Sequence, residues 1–274
     1  MRDSFKIVEK ERLAEGIKKI KITASQIAKK ALAGQFVIIR IDEKGERIPL
    51  TIVDSDKERG LITLVFQEVG FTTRTLGELE VGNEILDCLG PLGRPTETEK
   101  YDRVICIGGG VGIAEILPVS KAFKEKRNFV IGIIGSRSKE LLILEREMRQ
   151  VCDELYISTD DGSYGRKGFV TDILKELLIY SSSVHQLVYA VGPVPMMQKV
   201  CEITKVSKIK TAVSLSPVMV DGTGMCGACR VCVGGETKFC CVDGPEFDGH
   251  LVDFEELEKR LNLFKEKELC LARR

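Results

Sequence analysis

A short cysteine-rich segment near the C-terminus constrains this chain more than any other part of it. Three cysteines, Cys226, Cys229 and Cys241, follow the stretch Asp221-Gly-Thr-Gly-Met. A plant-type [2Fe–2S] site has the spacing C-x4-C-x2-C and a distant fourth cysteine. The segment keeps this spacing, with Asp221 in the place of the first cysteine. We therefore predict a [2Fe–2S] cluster with the ligands Asp221, Cys226, Cys229 and Cys241, and electron transfer as the leading function.

Two other interpretations of this segment stay open at the level of sequence. The first two cysteines, together with Cys240 or Cys241, could supply the thiolates of a structural zinc site. Alternatively, Cys232 or Cys240 could be the fourth cluster ligand, which would leave Asp221 as a turn residue. The long gap to Cys241 favours iron over zinc, and Cys232 follows the preceding cysteine by a step that the plant-type pattern lacks.

Composition limits the class of protein. The 274 residues, 43% of them hydrophobic, are enough for about two domains. Lys plus Arg and Asp plus Glu both number 41, so no basic excess indicates nucleic acid or an anionic membrane as a partner. Apolar runs such as residues 129–134 are too short to span a bilayer, and the N-terminus does not resemble a secretory signal. Ten cysteines in such a chain indicate metal or redox chemistry in the cytoplasm rather than disulfides.

The first 98 residues are predicted to form an antiparallel β-barrel or sandwich. Short segments rich in β-branched residues are separated by turn residues, as in small all-β domains. The predicted strands cover residues 5–8, 17–22, 35–41, 50–53 and 61–66, and two helices cover 24–33 and 72–79.

After a linker at residues 90–95 the pattern changes to alternating strands and helices, which predicts an α/β domain with a parallel sheet over residues 99–215. The predicted strands are 104–107, 129–134, 154–158, 187–191 and 211–215, and the helices are 113–124, 139–149, 170–178 and 195–204. Pro118 should kink the first of these helices or mark a late start. The cluster-binding segment is then predicted over 216–250 and a charged helix over 251–274.

Glycine-rich turns follow the strands of the α/β domain. The sequence Gly108-Gly-Gly-Val-Gly112 opens the first helix, where glycines let a pyrophosphate approach the backbone and the helix N-terminus supplies N–H groups. It is not a strict G-x-G-x-x-G, and an ordinary tight turn is the competing interpretation. Two later turns, which begin at Gly135 and Gly192, should lie at the same carboxyl edge of the sheet. Arg137 in the second turn does not distinguish NAD from NADP.

Two weaker motifs lie in the first domain. Arg47-Ile-Pro49-Leu-Thr51 offers a guanidinium for a phosphate and a hydroxyl for a flavin. Gly70-Phe-Thr-Thr73 begins a helix and would suit a second phosphate. A surface arginine and an ordinary capped helix are the competing interpretations.

In this order, the motifs resemble the ferredoxin–NADP reductase superfamily, and especially its branch of dihydroorotate dehydrogenase B electron-transfer subunits. The resemblance covers residues 5 to about 250. The motif at Arg47 stands at the flavin motif of that branch, the turn at Gly70 at its flavin-diphosphate turn, and Gly108-Gly-Gly-Val-Gly-Ile-Ala114 at its nicotinamide loop. Cys241-Val-Asp-Gly-Pro245 stands at the site of its last cluster cysteine.

Two departures point to a particular group within this superfamily. The dihydroorotate branch has cysteine at the position of Asp221 and usually proline at that of Glu115. The chain is more similar to the small subunits of NADH-dependent ferredoxin:NADP oxidoreductases, which bifurcate electrons. The alternatives are the electron-transfer subunit of dihydroorotate dehydrogenase B, in pyrimidine synthesis, and a plain flavin reductase with structural zinc.

The resemblance implies three cofactors, namely FAD, a [2Fe–2S] cluster and NAD(H), and a preference for NAD rests on it alone. It implies a larger partner subunit, similar to the small subunit of glutamate synthase, with its own FAD and [4Fe–4S] clusters, and contact with ferredoxin through the complex. Electrons from NADPH would divide in the partner, and the high-potential electron would reach NAD through the cluster and FAD of this subunit. No side-chain acid or base is needed for hydride transfer, so no catalytic residue is predicted.

The resemblance and the motifs together nominate two sets of cofactor-binding residues. Those in the first domain are Arg47, Pro49, Leu50, Thr51, Gln67, Gly70, Phe71, Thr72 and Thr73. Those in the α/β domain are Gly108, Gly109, Gly110, Val111, Gly112, Gly135, Ser136, Arg137, Asp160, Gly192, Pro193 and Met196.

Overall fold

The structure is a computed structural model that describes residues 4–179 and 185–263. The chain divides into two compact units. The first unit comprises the described residues of Met1–Pro95, Leu215–Pro245 and Asp253–Arg274. The second comprises those of Thr96–Ser214 and Glu246–Val252. The predicted cluster-binding segment therefore contributes to both units.

The first unit begins with seven strands in one antiparallel sheet, in the order β6-β1-β2-β5-β4-β3-β7. The strands are β1 (Phe5–Ala14), β2 (Ile17–Thr23), β3 (Phe36–Arg40), β4 (Arg47–Asp56), β5 (Leu61–Gln67), β6 (Glu84–Ile85) and β7 (Asp87–Leu92). The helices are α1 (Ser25–Lys30) and α2 (Phe71–Glu78). The prediction of an antiparallel barrel domain is confirmed, and the sequence did not predict two of its strands, β6 with two residues and β7 with six.

The core of this sheet follows from the alternation of strand side chains. Ile20 pairs with Leu64 and Ile22 with Ile62 across β2 and β5, and all four are buried. Successive residues of a strand face opposite sides, so these pairs put one hydrophobic face of each strand into the same core.

The second unit is an α/β domain whose sheet has the order β11-β10-β9-β8-β12-β13, all in parallel. The strands are β8 (Arg103–Gly109), β9 (Phe129–Ser136), β10 (Glu154–Thr159), β11 (Arg166–Lys167), β12 (Gln186–Val191) and β13 (Lys210–Ser214). The helices are α3 (Gly112–Glu125), α4 (Glu145–Val151), α5 (Val170–Ile179) and α6 (Val194–Val206), with a 3-10 helix at Lys139–Leu141. The prediction of a parallel α/β domain is confirmed.

Two details of this unit differ from the sequence prediction. Helix α3 starts at Gly112 and includes Pro118, so the proline does not mark a late start. The predicted helix over 139–149 is divided into the 3-10 helix and α4, because Leu144 has a positive φ of 54° and interrupts the helical backbone.

The C-terminal part of the chain contains more regular structure than its composition suggested. It forms β14 (Arg230–Val233), β15 (Glu236–Phe239), α7 (Cys240–Asp243), β16 (Glu246–Asp248) and α8 (Phe254–Asn262). Strand β16 pairs antiparallel with β13 and extends the sheet of the second unit. The end of the predicted C-terminal helix, from residue 264, lies outside the described residues. Within the described ranges no helix is long and apolar enough to cross a membrane.

Candidate functional site

Strand β4 presents the first predicted cofactor motif on the outer face of the barrel. Because strand side chains alternate, Arg47, Pro49 and Thr51 share one face. Arg47 is exposed and the other two are half-buried, whereas Leu50 is only 9% exposed and belongs to the core. Gln67, at the end of β5, is half-buried. The outer face therefore offers a guanidinium and a hydroxyl, and Leu50 can contribute only its backbone.

The N-terminus of α2 forms the second predicted motif. Gly70 is the N-cap residue, and its N–H donates to Oγ1 of Thr73 at 3.0 Å. Phe71 is 63% exposed, so an aromatic ring is available to stack on a planar ligand. Thr72 is buried and donates to Glu46 at 2.9 Å, so its hydroxyl is already engaged.

The glycine-rich loop between β8 and α3 is tightly packed. A Cβ at Gly108 would lie 2.8 Å from Cα of Ile113, and one at Gly109 would lie 2.6 Å from Sδ of Met196. A Cβ at Gly112 would meet the carbonyl oxygen of the residue that ends β12. At Gly108 and Gly112 the Cβ would meet backbone atoms, so only glycine fits there and the first turn of α3 lies close against the strand ends, whereas at Gly109 it would meet the flexible side chain of Met196.

Gly110 gives this loop its sharp bend. Its φ of 57° is in the left-handed region, and its N–H donates to the carbonyl of Gly135 at 2.9 Å. Val111, the N-cap residue of α3, is half-buried. The N–H groups of Ile113 and Ala114 already donate to the carbonyls of Gly110 and Val111, at 3.2 and 2.9 Å. The amides of Val111 and Gly112, at the start of α3, are therefore those that can bind a pyrophosphate.

The second turn is joined to the loop after β10. Ser136 donates to the carbonyl of Ser138 at 2.7 Å, and Arg137 is exposed. The N–H of Asp160 donates to the carbonyl of Ser136 at 3.1 Å, and that of Asp161 donates to Arg137 at 3.2 Å. The sequence prediction missed Asp161. It could have been found because β9 and β10 are parallel neighbours, so the loops that follow them lie at the same edge of the sheet.

The third turn closes against the first. Met196 lies beside Gly109. A Cβ at Gly192 would lie 2.9 Å from Cε of Met196. Pro193 is exposed and precedes the helix as its N-cap residue. The three turns predicted from sequence thus follow β8, β9 and β12, three neighbouring strands of the parallel sheet.

The structure brings two of the predicted cluster ligands together. The sulfurs of Cys229 and Cys241, both buried, lie 3.2 Å apart. Two thiolates on one tetrahedral metal with ~2.3 Å bonds lie about 3.8 Å apart, so a small adjustment lets both bind one metal ion. Burial and the neighbouring Cys229 raise the pKa of Cys241 to about 12. Cys226 is exposed.

Asp221 closes the loop that bears the cysteines. Its carboxylate accepts hydrogen bonds from the N–H of Thr223 at 2.9 Å and of Cys226 at 2.8 Å. These bonds, that from Thr223 first, lower the pKa of Asp221. Gly222 and Gly224, with φ of 74° and 86°, supply the left-handed backbone that this loop needs.

Backbone amides point at two of the cysteine sulfurs. The N–H of Ala228 donates to Sγ of Cys226 at 3.4 Å, and that of Cys241 donates to Sγ of Cys229 at 3.5 Å. Such bonds favour the thiolate and help to set the reduction potential of an iron–sulfur cluster.

The two spare cysteines have other neighbours. Cys240 is fully buried and its thiol donates to the carbonyl of Leu215 at 3.1 Å. Cys232 lies with Asp253 and Glu256, and the ligand atoms of these three are within 4.8 Å of one another. This is the only such group among the described residues.

The arrangement of the predicted ligands can be compared with the geometry of a structural zinc site. Over residues 4–179 and 185–263, the predicted cluster ligands do not form a group of three within 4.8 Å. One tetrahedral zinc ion would hold its ligand atoms within about 4 Å of one another. The three cysteines and the carboxylate, as placed among the described residues, therefore do not match the ligand set of a single zinc ion.

The sequence prediction also missed the barrel residues that support the cluster segment. Nε of Arg94 donates to the carbonyl of Val242 at 3.2 Å, between residues 148 positions apart. The N–H of Arg94 donates to Gly244 at 2.7 Å. No local sequence pattern could have signalled these long-range contacts.

The two histidines have structural neighbours. His250 Nε2 lies 2.9 Å from Oγ1 of Thr204, which is buried. The ring of His185 stacks on Tyr101 at 4.8 Å. Neither lies beside a nucleophilic side chain at the predicted cofactor motifs, so no general acid or base is assigned.

Two family models match the chain. The iron-sulfur cluster binding domain of dihydroorotate dehydrogenase B matches residues 216–253. The oxidoreductase NAD-binding domain matches residues 106–202. These ranges contain the predicted cluster ligands and all three glycine turns.

Comparison with individual proteins extends the similarity to almost the whole chain. A dihydroorotate dehydrogenase B electron transfer subunit homolog of Thermotoga maritima is 48% identical over 96% of this chain and 92% of its own. The electron transfer subunit of that enzyme in Fusobacterium nucleatum is 33% identical over 91% of this chain and 97% of its own. Among solved structures, a chain of NADH-dependent reduced ferredoxin-NADP oxidoreductase, described in a study of flavin-based electron bifurcation, is 45% identical with a TM-score of 0.92. That match covers 98% of this chain and 96% of the other.

Proposed function

The chain belongs to the family of dihydroorotate dehydrogenase B electron-transfer subunits, and from this premise we propose that it is the small flavoprotein subunit of a bifurcating NADH-dependent reduced ferredoxin:NADP oxidoreductase. In this role it passes electrons between a [2Fe–2S] cluster, FAD and NAD(H). The observation that carries the proposal is the carboxylate of Asp221, which stands at the first ligand position of the cysteine loop and is fixed there by two amides.

Each cofactor has a set of residues to hold it. Asp221, Cys226, Cys229 and Cys241 would bind the cluster. The outer face of β4 and the N-terminus of α2 would bind FAD. The glycine turns after β8, β9 and β12 would bind NAD(H). When bound, the cluster supplies one-electron transfer and FAD converts between one-electron transfer and hydride transfer.

The residues of the chain position and tune these groups rather than react. Arg47 can neutralise phosphate charge, and Phe71 can cover a planar ring. The amides of Ala228 and Cys241 stabilise negative charge on the cluster sulfurs, which favours the reduced state. Burial of Cys229 and of its partner thiolate keeps water from that side of the cluster.

The loop after β10 supports NAD(H) as the nucleotide. Ribose hydroxyls of NAD are commonly bound by a carboxylate near the end of the second strand. The turn at Gly135 has none of its own, but Asp160 and Asp161 are hydrogen-bonded to it through their backbones. Their carboxylates can accept from a 2′-hydroxyl, and Arg137 is the residue that would favour a 2′-phosphate.

Family membership implies a larger partner subunit, since the relatives are electron-transfer subunits of complexes. We propose that this partner is a flavoprotein similar to the small subunit of glutamate synthase, with [4Fe–4S] clusters. Ferredoxin would then exchange electrons with the complex through the partner.

The second candidate is the electron-transfer subunit of dihydroorotate dehydrogenase B itself. It is favoured by the family model over residues 216–253. Against it stand Asp221, where that branch has cysteine, and Glu115, where it usually has proline.

Anaerobic purification from the native cells, with the co-purifying chain identified by mass, tests the proposal. A glutamate-synthase-like flavoprotein, together with two irons and two sulfides per small subunit, is the expected result. A dihydroorotate dehydrogenase chain would replace the proposal with the second candidate. A chain that carries flavin but no iron would refute the cluster.

The variant Asp221→Cys tests the proposed ligand itself. If Asp221 binds iron, the electron paramagnetic resonance spectrum and the reduction potential of the cluster should both change. If both stay the same while the iron content is kept, Asp221 is a turn residue and not a ligand.

A further inference from the structure

The outer face of β3 is buried although it points away from the barrel core. Val37 and Ile39 belong to that core. By alternation, Phe36 and Ile38 face outward, yet they are only 4% and 2% exposed. Another part of the first unit must therefore cover them.

The cover is the cluster-binding segment and the end of β7. A Cβ at Gly222, the residue after Asp221, would lie 2.7 Å from Cγ1 of Ile38 and 2.7 Å from Cδ1 of Leu92. A Cβ at Gly93 would lie 2.9 Å from Cε1 of Phe36. The backbone of the cysteine loop thus rests directly on the outer face of β3.

The same face carries the flavin motif one strand away. In the antiparallel register Ile38 lies opposite Pro49, and Phe36 lies opposite Thr51. The Cβ atoms of such cross-strand pairs are about 4.5–5.5 Å apart. The cluster loop therefore rests on side chains that are the immediate neighbours of the flavin motif on the same face.

We infer that Ile38 is the side chain that separates the cluster from the flavin, and that Gly222 is the positioning residue that sets this separation. The inference rests on the proposed function. In the step that it concerns, the reduced cluster loses one electron and the flavin gains it. Two such electrons, with a proton from solvent, form the hydride that NAD⁺ accepts, and NADH oxidation runs the same steps in reverse.

Gly222 suits this role because the adjacent side chain of Ile38 has little freedom to move aside. Ile38 is β-branched, which restricts its rotamers, and it is packed on all sides. A methyl group at position 222 would therefore displace the cluster loop rather than Ile38. Tunnelling rates fall steeply with distance, so even a small displacement slows the transfer.

The test uses the full holo chain, purified anaerobically and mixed with NADH in a stopped-flow instrument. In Gly222→Ala, flavin reduction by NADH should keep its rate, and subsequent reduction of the cluster should slow several-fold, because the electron must tunnel over a longer distance. Visible circular dichroism of the oxidised cluster, a readout independent of turnover, should change as well.

Gly235→Ala is the matched control. Gly235 has a φ of 80°, close to the 74° of Gly222, but a Cβ there meets nothing within 4 Å. Both variants carry the same kind of backbone strain, and only Gly222→Ala touches Ile38. The control should keep both rates and the dichroism of the cluster.

A second variant keeps the inference testable if Gly222→Ala loses iron. Ile38→Ala in the Gly222→Ala background removes the contact with Ile38 and leaves only that with the flexible end of Leu92, so it should restore the iron content and part of the rate. Equal effects of the two glycine variants, or no recovery in the double variant, would overturn the inference. A wild-type chain without iron, or one whose flavin NADH does not reduce, would instead refute the proposed function.

Discussion

Gly108→Ala should weaken binding of the nicotinamide nucleotide through contacts with the first residues of α3. The added Cβ would lie 2.8 Å from Cα of Ile113, in the first turn of α3, and 2.9 Å from Cδ1 of Ile116. Non-bonded carbons settle at about 3.5–4.0 Å, so the helix must move by roughly 0.7 Å. Overpacking of this kind costs about 1–3 kcal/mol of the free energy of unfolding.

The displaced turn carries the amides proposed to bind the pyrophosphate. A misplacement of ~1 Å can cost up to about 100-fold in a positioned interaction, and we expect about tenfold here. The dissociation constant of NAD⁺, measured by calorimetry on the oxidised holo chain, with which NAD⁺ does not react, should rise by this factor. The flavin and iron contents should not change, since Gly108 belongs to the second unit.

Gly132→Ala separates this effect from a general loss of stability. Gly132 lies within β9, and a Cβ there would be 2.7 Å from Cδ1 of Leu155 and 2.9 Å from Sγ of Cys152. The distances are similar, although these are side-chain atoms, which yield more easily than the backbone atom met at position 108, and no glycine turn moves. If urea titration shows equal destabilisation and both variants weaken NAD⁺ binding equally, the amides of α3 do not hold the pyrophosphate.

Three further predictions concern the cluster segment and its surroundings. Cys241→Ala should lose the cluster, whereas Cys240→Ala should keep both irons and lose about 1–3 kcal/mol of stability, because the buried carbonyl of Leu215 loses its donor; iron analysis and urea titration distinguish them. Arg94→Gln removes a positive charge beside the last ligand, so the cluster potential in a redox titration should fall, and an unchanged potential would contradict the proposed cluster position. Burial raises the pKa of Glu246 despite hydrogen bonds from Thr96 and Tyr189, so the folded state disfavours its carboxylate. The contribution of Glu246 to the stability of the fold is therefore most favourable below about pH 4.3, and it is lost as the pH rises through the pKa that Glu246 has in the folded state. As the pH rises from 4 to 8, the unfolding temperature of Glu246→Gln should therefore increase relative to that of the wild type. A difference between the two unfolding temperatures that does not change with pH would refute this.

The class of fold was predictable because its two signals are local. Alternation of side chains in β2 and β5 and alternation of strands and helices after residue 103 both appear within short windows of sequence. Strands β6 and β7 gave no such signal, since one has two residues and the other contains Gly90 and Pro91. Strand β16 was missed because it joins a sheet whose other strands are distant in sequence.

The cofactor motifs were predictable in position but not in the direction of each side chain. Thr72 is part of a predicted phosphate turn, yet its hydroxyl is bonded to Glu46. Leu50 is in the middle of the flavin motif, yet alternation turns it into the core. A motif identifies a stretch of backbone, and the register of the strand or helix then decides which side chains reach a ligand.

Glycine shows most clearly what the sequence cannot distinguish. Gly222 and Gly235 share a left-handed backbone, and either could be read as a simple turn residue. Only the structure shows that Gly235 faces open space whereas Gly222 lies against Ile38. The first is required for its φ alone, and the second for its φ and for close approach. If the cluster must lie one side chain away from the flavin, selection at position 222 acts on distance, and an alanine there fails even in a loop that tolerates its backbone strain.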